Sequence, residues 1–198
     1  AFVFNGGPGA ASVFLHLGAL GPRILETPGD GSLPNPPYKL VDNPDSWLAF
    51  ADLVFVDPVG TGFSHSEEKK GDGKDDGKGG NPNRPFWPDK PFWNVRGDLT
   101  SLGSVLRLWL TRHERWPSPV YLVGESYGGY RVAALAQTLV EDIGLTPNGL
   151  VMISPALDMS LIRDNVVDPM GAAFEIPSYA ATAATLAGFN RDDALIVH

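Results

Sequence analysis

The segment VGESYGGYR, residues 123–131, places one serine between glycines where an apolar run ends and an alanine- and leucine-rich run begins. Within it, GESYG at 124–128 matches G-x-S-x-G, a pattern that carries chemical meaning when a strand precedes it and a helix follows. The residues around Ser126 must be small there so that strand and helix can pass closely, and the serine hydroxyl then projects above the sheet. An ordinary glycine-rich turn is the alternative. The strand-to-helix context favours Ser126 as a nucleophile in an α/β protein.

Four short apolar runs are typical of buried strands, because they are rich in β-branched or aromatic residues and run into Gly, Pro or Asn. They are Phe2–Phe4, Leu53–Val56, Val120–Val123 and Leu150–Ile153. None shows the alternation of a half-exposed strand, which indicates a mostly parallel sheet covered on both faces.

Helical patterns lie between the later strands. Apolar residues fall at helical spacing over 95–110, with Asn94 as a candidate N-cap and Pro117 ending the segment. A second helix is predicted over 127–143, with Gly144 as its stop. This alternation of strand and helix predicts an α/β fold with flanking helices.

The pattern also suggests how the chain is organised. Residues 1–157 are predicted to form a partial α/β core, interrupted at 66–93 by a mobile loop rich in Gly, Pro and charge. After Pro155 the strand pattern stops, and the stretch MGAAFEIPSYAATAATLAGF, residues 170–189, is predicted to be helical, with Pro177 near a helix start. Both ends of the chain fall inside apolar patterns, so we expect a piece of a longer protein.

Four aromatic side chains follow the charged part of that loop, among prolines: Phe86, Trp87, Phe92 and Trp93. The favoured interpretation is an extended segment that packs these rings on the surface. The alternative is an aromatic wall beside a pocket.

Composition narrows the function. The net charge of −8 argues against a nucleic acid or an anionic membrane as partner. No apolar run approaches the length of about 20 residues that spans a bilayer. The chain has no cysteine, which excludes disulfides and thiol catalysis. The histidines are scattered and no carboxylate cluster has ligand spacing, so no metal site and no cofactor are expected.

A second glycine-rich loop is suited to nucleophilic catalysis by the serine. In FVFNGGPGAAS the strand-like run Phe2–Phe4 continues directly into NGGPG, residues 5–9. A serine nucleophile needs N–H donors for the negatively charged oxygen of the tetrahedral intermediate. One donor is the amide of the residue after the serine, Tyr127, and the other comes from a loop after an earlier strand. The NGGPG loop is therefore predicted to be an oxyanion loop.

Together these motifs make the chain resemble the serine carboxypeptidases of the α/β-hydrolase fold. The motifs are NGGPGAAS, LGALGP, VDPVGTGFS and GESYGG, in this order, and they span Phe2 to Tyr130. The resemblance implies a hydrolase that releases C-terminal residues from peptide substrates. It implies Ser126 as nucleophile and the Gly7 and Tyr127 amides as oxyanion-hole donors. It also implies that residues from about 158 onward begin a helical cap.

The resemblance further implies a site for the substrate's terminal carboxylate, formed by Asn5, Gly6 and Glu125. Glu125 is expected to bind as the protonated acid, since two carboxylates in contact cannot both carry charge, and this favours acidic working conditions. The chain departs from the family at Ala10, where a cysteine is usual, and at Ala19, where many members carry a second glutamate. The second change weakens the case for strict carboxypeptidase specificity.

The sequence lacks a convincing base and acid for the nucleophile. In this fold both follow the serine, the acid first and then the histidine. Only His198 follows Ser126, and Asp158, just after the fourth strand, is not favoured as the acid. We expect both partners beyond residue 198.

Three histidines precede the serine. His16 is interpreted as a core or edge residue, and His113 lies where a helix C-terminus would favour a cation. His65, after the third motif, is not favoured as the base.

Two alternatives stay open. The scaffold could serve another reaction, as an esterase, an acyltransferase or an aminopeptidase of the proline-iminopeptidase kind, although the usual loop of the last group begins HGGPG. It could also belong to an inactive protein that only binds. The absence of cysteine suits a bacterial relative exported to the periplasm or beyond, which follows from resemblance alone, and the oligomeric state is open.

Overall fold

The computed structural model describes residues 1–28, 32, 34–66, 90–158 and 170–188. The predicted loop at 66–93 falls largely outside these residues, as do Phe86, Trp87 and His198. Six strands are present within the described ranges: β1 (Phe2–Phe4), β2 (Arg23–Leu25), β3 (Leu40–Asp42), β4 (Val54–Phe55), β5 (Tyr121–Glu125) and β6 (Gly149–Ile153).

Four of these strands form one sheet in the order β4-β1-β5-β6, and every neighbouring pair is parallel. The registers place Val3 beside both Phe55 and Val123. All four predicted strands are therefore confirmed: β1 has the predicted bounds, and the ends of the other three differ by at most two residues. Strands β2 and β3 form a separate antiparallel hairpin that the sequence patterns did not predict.

Three helices flank the sheet: α1 (Val13–Leu15), α2 (Val95–Arg112) and α3 (Tyr127–Thr138). A fourth helix, α4 (Met170–Leu186), comes later in the chain. Wider π-type turns extend α1 through His16–Leu20 and α3 through Leu139–Ile143. The side chain of Asn94 accepts a hydrogen bond from the Gly97 amide at 2.9 Å, so the predicted N-cap of α2 is confirmed. Gly144, at φ 74°, ends the turn after α3 as predicted.

The core lies on both faces of the sheet because successive residues of β1 point in opposite directions. Phe2 and Phe4 pack with α2 and α3, through apolar residues such as Leu106 and Leu135. Val3 packs on the other face. The buried residues of that second cluster are Val3, Leu15, Leu20 and Val123. The sheet is thus covered on both sides near β1 and β5, where the candidate nucleophile follows.

The chain divides into two compact units, Ala1–Pro155 and Ala156–His198. In the second unit α4 is the described helix, and Pro177 lies in its interior. The expectation that Pro177 marks a helix start is wrong. An interior proline removes one hydrogen bond and crowds the preceding turn. The surrounding residues, which include several alanines, nevertheless hold the helix on both sides of it. Among the described residues, no helix combines the length and apolar character that a membrane span requires.

Candidate active site

Ser126 occupies the sharp turn between β5 and α3. Its backbone angles are φ 57° and ψ −121°, a conformation that costs an L-residue free energy. Two hydrogen bonds hold it there: the Ser126 amide donates to the Ile153 carbonyl at 2.9 Å, and the Ser126 carbonyl accepts from the Gly129 amide at 2.9 Å. The neighbouring strand and the first turn of the helix thus maintain the strained serine.

Glycines around the serine are required by close packing. A Cβ on Gly128 would lie 2.6 Å from the Phe4 carbonyl oxygen, and one on Gly129 would lie 2.9 Å from the Pro155 Cα. A Cβ on Gly124 would collide with the Gly128 carbonyl. The structure thus supports the physical reason for small residues in this turn.

The NGGPG loop lies directly against the turn. A Cβ built on Gly6 would be 2.8 Å from both the Ser126 Cβ and the Tyr127 amide nitrogen. Gly7 has φ 107°, which favours glycine, and the Ala10 amide closes the loop on the Gly6 carbonyl at 3.2 Å. The predicted oxyanion loop and the predicted nucleophile are therefore neighbours in space, although more than a hundred residues separate them in sequence.

Asn5 joins this loop to the candidate carboxylate site. It is 4% exposed, and its Oδ1 accepts a hydrogen bond from the Leu15 amide at 3.0 Å. Its Nδ2 donates to Oε2 of Glu125 at 3.3 Å. The two side chains assigned to the substrate's carboxylate by resemblance are thus in contact.

Beneath the turn lies a buried ion pair that the sequence reasoning missed. Nε of Arg131 donates to Oδ2 of Asp98 at 2.7 Å, and the two side chains are 3% and 12% exposed. Nη1 of Arg131 donates to the Asn5 carbonyl at 2.7 Å, and the guanidinium lies over the Tyr127 ring, 5.0 Å from its centroid. One signal was available: Arg131 is the only charged residue between Ser126 and Glu141 in the sequence.

A cavity of about 380 Å³ opens beside Tyr127, between the oxyanion loop and the N-terminus of α2. Its walls include apolar residues from three segments: Pro8, Pro58, Val59, Phe92, Trp93 and Val95. Asp98 and Arg131 also line it. For Phe92 and Trp93, the pocket-wall alternative fits better than the favoured surface interpretation, although Trp93 remains half exposed.

Two of the described histidines pack against aromatic side chains of the scaffold. His16 stacks on Phe55, with ring centroids 4.3 Å apart, and His113 follows the last turn of α2 and packs on Trp109 at 4.5 Å. His65 is exposed. Within the described ranges, no hydrogen bond joins the Ser126 hydroxyl to a histidine. The same residues contain no cluster of three or more histidine or carboxylate groups placed to hold a metal ion. The positions of the base and acid stay a prediction.

Known proteins share both the sequence pattern and the fold of this chain. A family model described as serine carboxypeptidase matches residues 2–186. Three similar proteins come from Arabidopsis thaliana. Serine carboxypeptidase-like 12 is 31% identical over 138 residues, which are 68% of this chain and 26% of that protein. Serine carboxypeptidase-like 20 is 31% identical over 83% of this chain and 28% of that protein, and serine carboxypeptidase-like 16 is 29% identical over 81% and 34%.

The chain thus spans between 26% and 34% of the length of these three relatives. The chain is also similar to a solved structure, that of Kex1(delta)p, a prohormone-processing carboxypeptidase from Saccharomyces cerevisiae. The superposed region is 99% of this chain and 38% of the Kex1(delta)p chain, with a TM-score of 0.56 and 22% sequence identity. This likeness shows the fold, and it confirms the predicted α/β-hydrolase architecture. The family match over residues 2–186 confirms the resemblance of the sequence motifs. The chain belongs to the serine carboxypeptidase family.

Proposed function

We propose that this chain carries the nucleophile and oxyanion hole of a serine-type carboxypeptidase, which hydrolyses C-terminal residues from peptides through an acyl-enzyme on Ser126. One observation carries the proposal: the Gly6 backbone lies against the Ser126 Cβ and the Tyr127 amide, at a turn with strained backbone angles. A strained serine between two glycine-rich loops suits acyl transfer.

In the proposed reaction, Ser126 Oγ attacks the carbonyl carbon of the last peptide bond. The developing oxyanion accepts hydrogen bonds from the Gly7 and Tyr127 amides. The C–N bond then breaks, the proton taken from the serine passes to the leaving amine, and water hydrolyses the remaining ester. The histidine that moves this proton, and the acid that orients it, are proposed to lie beyond residue 198, so that this chain is the N-terminal portion of the enzyme.

The contact between Asn5 and Glu125 supports a free C-terminus as the feature that the site binds. An amide and a protonated carboxyl together can hold both oxygens of a carboxylate. Ala19 favours a second candidate function, an esterase or acyltransferase on the same scaffold. Many family members have a glutamate at this position, and alanine has no carboxyl group to bind the substrate's carboxylate.

The experiment uses the complete protein that contains this chain, with three substrates: a peptide with a free C-terminus, its C-terminal amide, and a simple ester. The proposal expects hydrolysis of the free peptide, little of the amide, and rapid labelling of Ser126 by a fluorophosphonate probe. Ser126→Ala should abolish all of these, whereas Ser104→Ala, in α2 and exposed, should not. Hydrolysis of the ester alone would favour the second candidate, and no hydrolysis or labelling would favour an inactive protein.

From the family resemblance alone we further propose that the protein is of a bacterial type and works in the periplasm or outside the cell. Fractionation of cells that express the complete gene tests it. Enzyme found only in the cytoplasmic fraction would contradict it.

A further inference from the structure

Arg131 occupies a place where a charge is costly. Its side chain is 3% exposed and lies in α3, one helical turn after Tyr127. Charged side chains are almost never buried unless they are paired. Replacing a buried ion pair by apolar side chains of similar volume is often neutral or stabilising. Stability alone therefore gives little reason for Arg131 and Asp98 to meet here.

The contacts of the guanidinium show what the pair can do. Nε is held by Asp98, from the first turn of α2, at 2.7 Å. Nη1 donates to the Asn5 carbonyl at 2.7 Å, which is the peptide group that leads into the oxyanion loop. The face of the same group lies over the Tyr127 ring. One rigid, planar side chain thus contacts both segments that would supply oxyanion-hole donors.

We propose that Arg131, oriented by Asp98, is a positioning residue that sets the spacing between the NGGPG loop and the Tyr127 amide, and so the geometry of the oxyanion hole. This inference rests on the proposed function. Hydrogen-bond donors in such a site must lie about 2.7–3.1 Å from the oxyanion. The planar guanidinium of arginine fixes the directions of two hydrogen bonds at once, whereas the ammonium group of lysine sits on a flexible chain and does not.

The proposed effect is geometric, because the charge of Asp98 offsets that of Arg131 at 2.7 Å. A change in spacing should affect the transition state more than the bound substrate. The expected signature is a loss in kcat at nearly constant KM, of similar size for esters and peptides. A loss of carboxylate binding would instead raise KM for free peptides alone.

The test uses the complete protein, with Arg131→Met and Arg131→Lys. A misplacement of about 1 Å can reduce the rate by about 100-fold. We expect kcat and the fluorophosphonate labelling rate of Ser126 to fall by about 10- to 100-fold in Arg131→Met, with incomplete rescue by lysine. The matched control is Arg115→Met, because Arg115 forms an ion pair of the same 2.7 Å length with Asp52 at an exposed place. It should leave kcat unchanged.

Arg131→Met leaves Asp98 buried without its partner and will lower stability, so a second variant separates stability from position. Asp98→Leu/Arg131→Met removes both charges and should recover thermal stability but not kcat. Recovery of kcat together with stability overturns the inference, as does an Arg131→Met variant with wild-type kcat. A wild-type protein that neither hydrolyses substrate nor reacts with the probe overturns the proposed function as well, so the two failures are distinguishable.

Discussion

Asp57, just after β4, accepts two hydrogen bonds from Ser12: one from its backbone amide at 2.7 Å and one from its hydroxyl at 2.8 Å. Ser12 follows the NGGPG loop, and Asp57 begins the run DPVGTGFS within the third motif. One carboxylate therefore fastens the far end of the oxyanion loop to the neighbouring strand. The close approach of Gly62 to this carboxylate leaves no space for a Cβ there.

Asp57→Ala should lower the free energy of unfolding by about 1–3 kcal/mol, because it leaves two donors of the buried Ser12 without an acceptor. Chemical denaturation of the complete protein measures this. The labelling rate of Ser126 should fall as well, since the loop loses its anchor. The control is Asp45→Ala, an exposed carboxylate away from the loop. Equal effects of the two substitutions would contradict the anchor role.

Glu125→Ala should raise KM for peptides with a free C-terminus and leave ester hydrolysis nearly unchanged, because esters have no carboxylate to hold. Glu125→Gln should raise KM less than Glu125→Ala does, because its amide can still donate a hydrogen bond to the carboxylate. Initial rates over a range of substrate concentrations give both KM values. Glu141→Gln, at the far end of α3, is the matched control. Equal losses on esters and peptides would assign Glu125 to the scaffold instead.

Ser126→Gly should be more stable than Ser126→Ala by about 1 kcal/mol, because glycine adopts φ 57° without strain. In an ordinary helix position the order is reversed. The pair Ser104→Gly and Ser104→Ala, in α2, supplies that reference. Thermal unfolding of the four variants measures the difference. The same order at both positions would show that the turn stores no strain.

Trp93→Ala should reduce the preference of the enzyme for a bulky apolar acyl group over a small one by about tenfold. The substitution removes part of the cavity wall, and a bulky acyl group in the cavity would lose apolar contact with it. Peptides that share one C-terminal residue and differ only before it would reveal the change as a ratio of kcat/KM. Trp116→Ala is the control, because Trp116 lies outside the cavity walls and hydrogen-bonds to Thr111. An unchanged ratio would mean that substrate does not enter the cavity.

Tyr127→Phe should remove part of the loss of stability at alkaline pH. Burial raises the pKa of the Tyr127 hydroxyl above its ordinary value of 10.0, an effect that the nearby Arg131 opposes. The stability that depends on the neutral hydroxyl is fully present below pH 10.0 and is lost as the pH rises through the raised value. The phenylalanine variant keeps the backbone amide. Melting temperatures measured from about pH 9 upward, with and without the substitution, test this, and identical slopes would refute it.

The parts of the fold that sequence predicted are those that depend on local chemistry. The apolar runs became the four parallel strands, Asn94 caps α2, and Gly144 ends the turn after α3. The turn at Ser126 was predictable because only small residues permit a strand and a helix to meet so closely. Its contact with Gly6 was predictable because both loops follow neighbouring strands of one parallel sheet.

The parts that sequence did not predict depend on long-range partners. Arg131 stands out as the one charged residue between Ser126 and Glu141, but the sequence does not show that Asp98, 33 residues earlier, pairs with it. The hairpin of β2 and β3 lacks a strong strand pattern, since its residues are partly exposed. Trp93 could be assigned to a cavity wall only when the loop at 58–61 was seen beside it.

The glycine packing around Ser126 also determines which positions can be changed in a mutant library. At Gly6, Gly124 and Gly128 every substitution introduces an atom into space already occupied by the backbone. Gly18, by contrast, has no atom from outside its own helical turn within 4 Å of the place that a Cβ would take, and its φ lies outside the left-handed region, so it should accept most side chains. Attempts to redirect the selectivity of this scaffold by directed evolution should therefore leave the serine turn alone and vary the side chains that face the cavity, beginning with Val59.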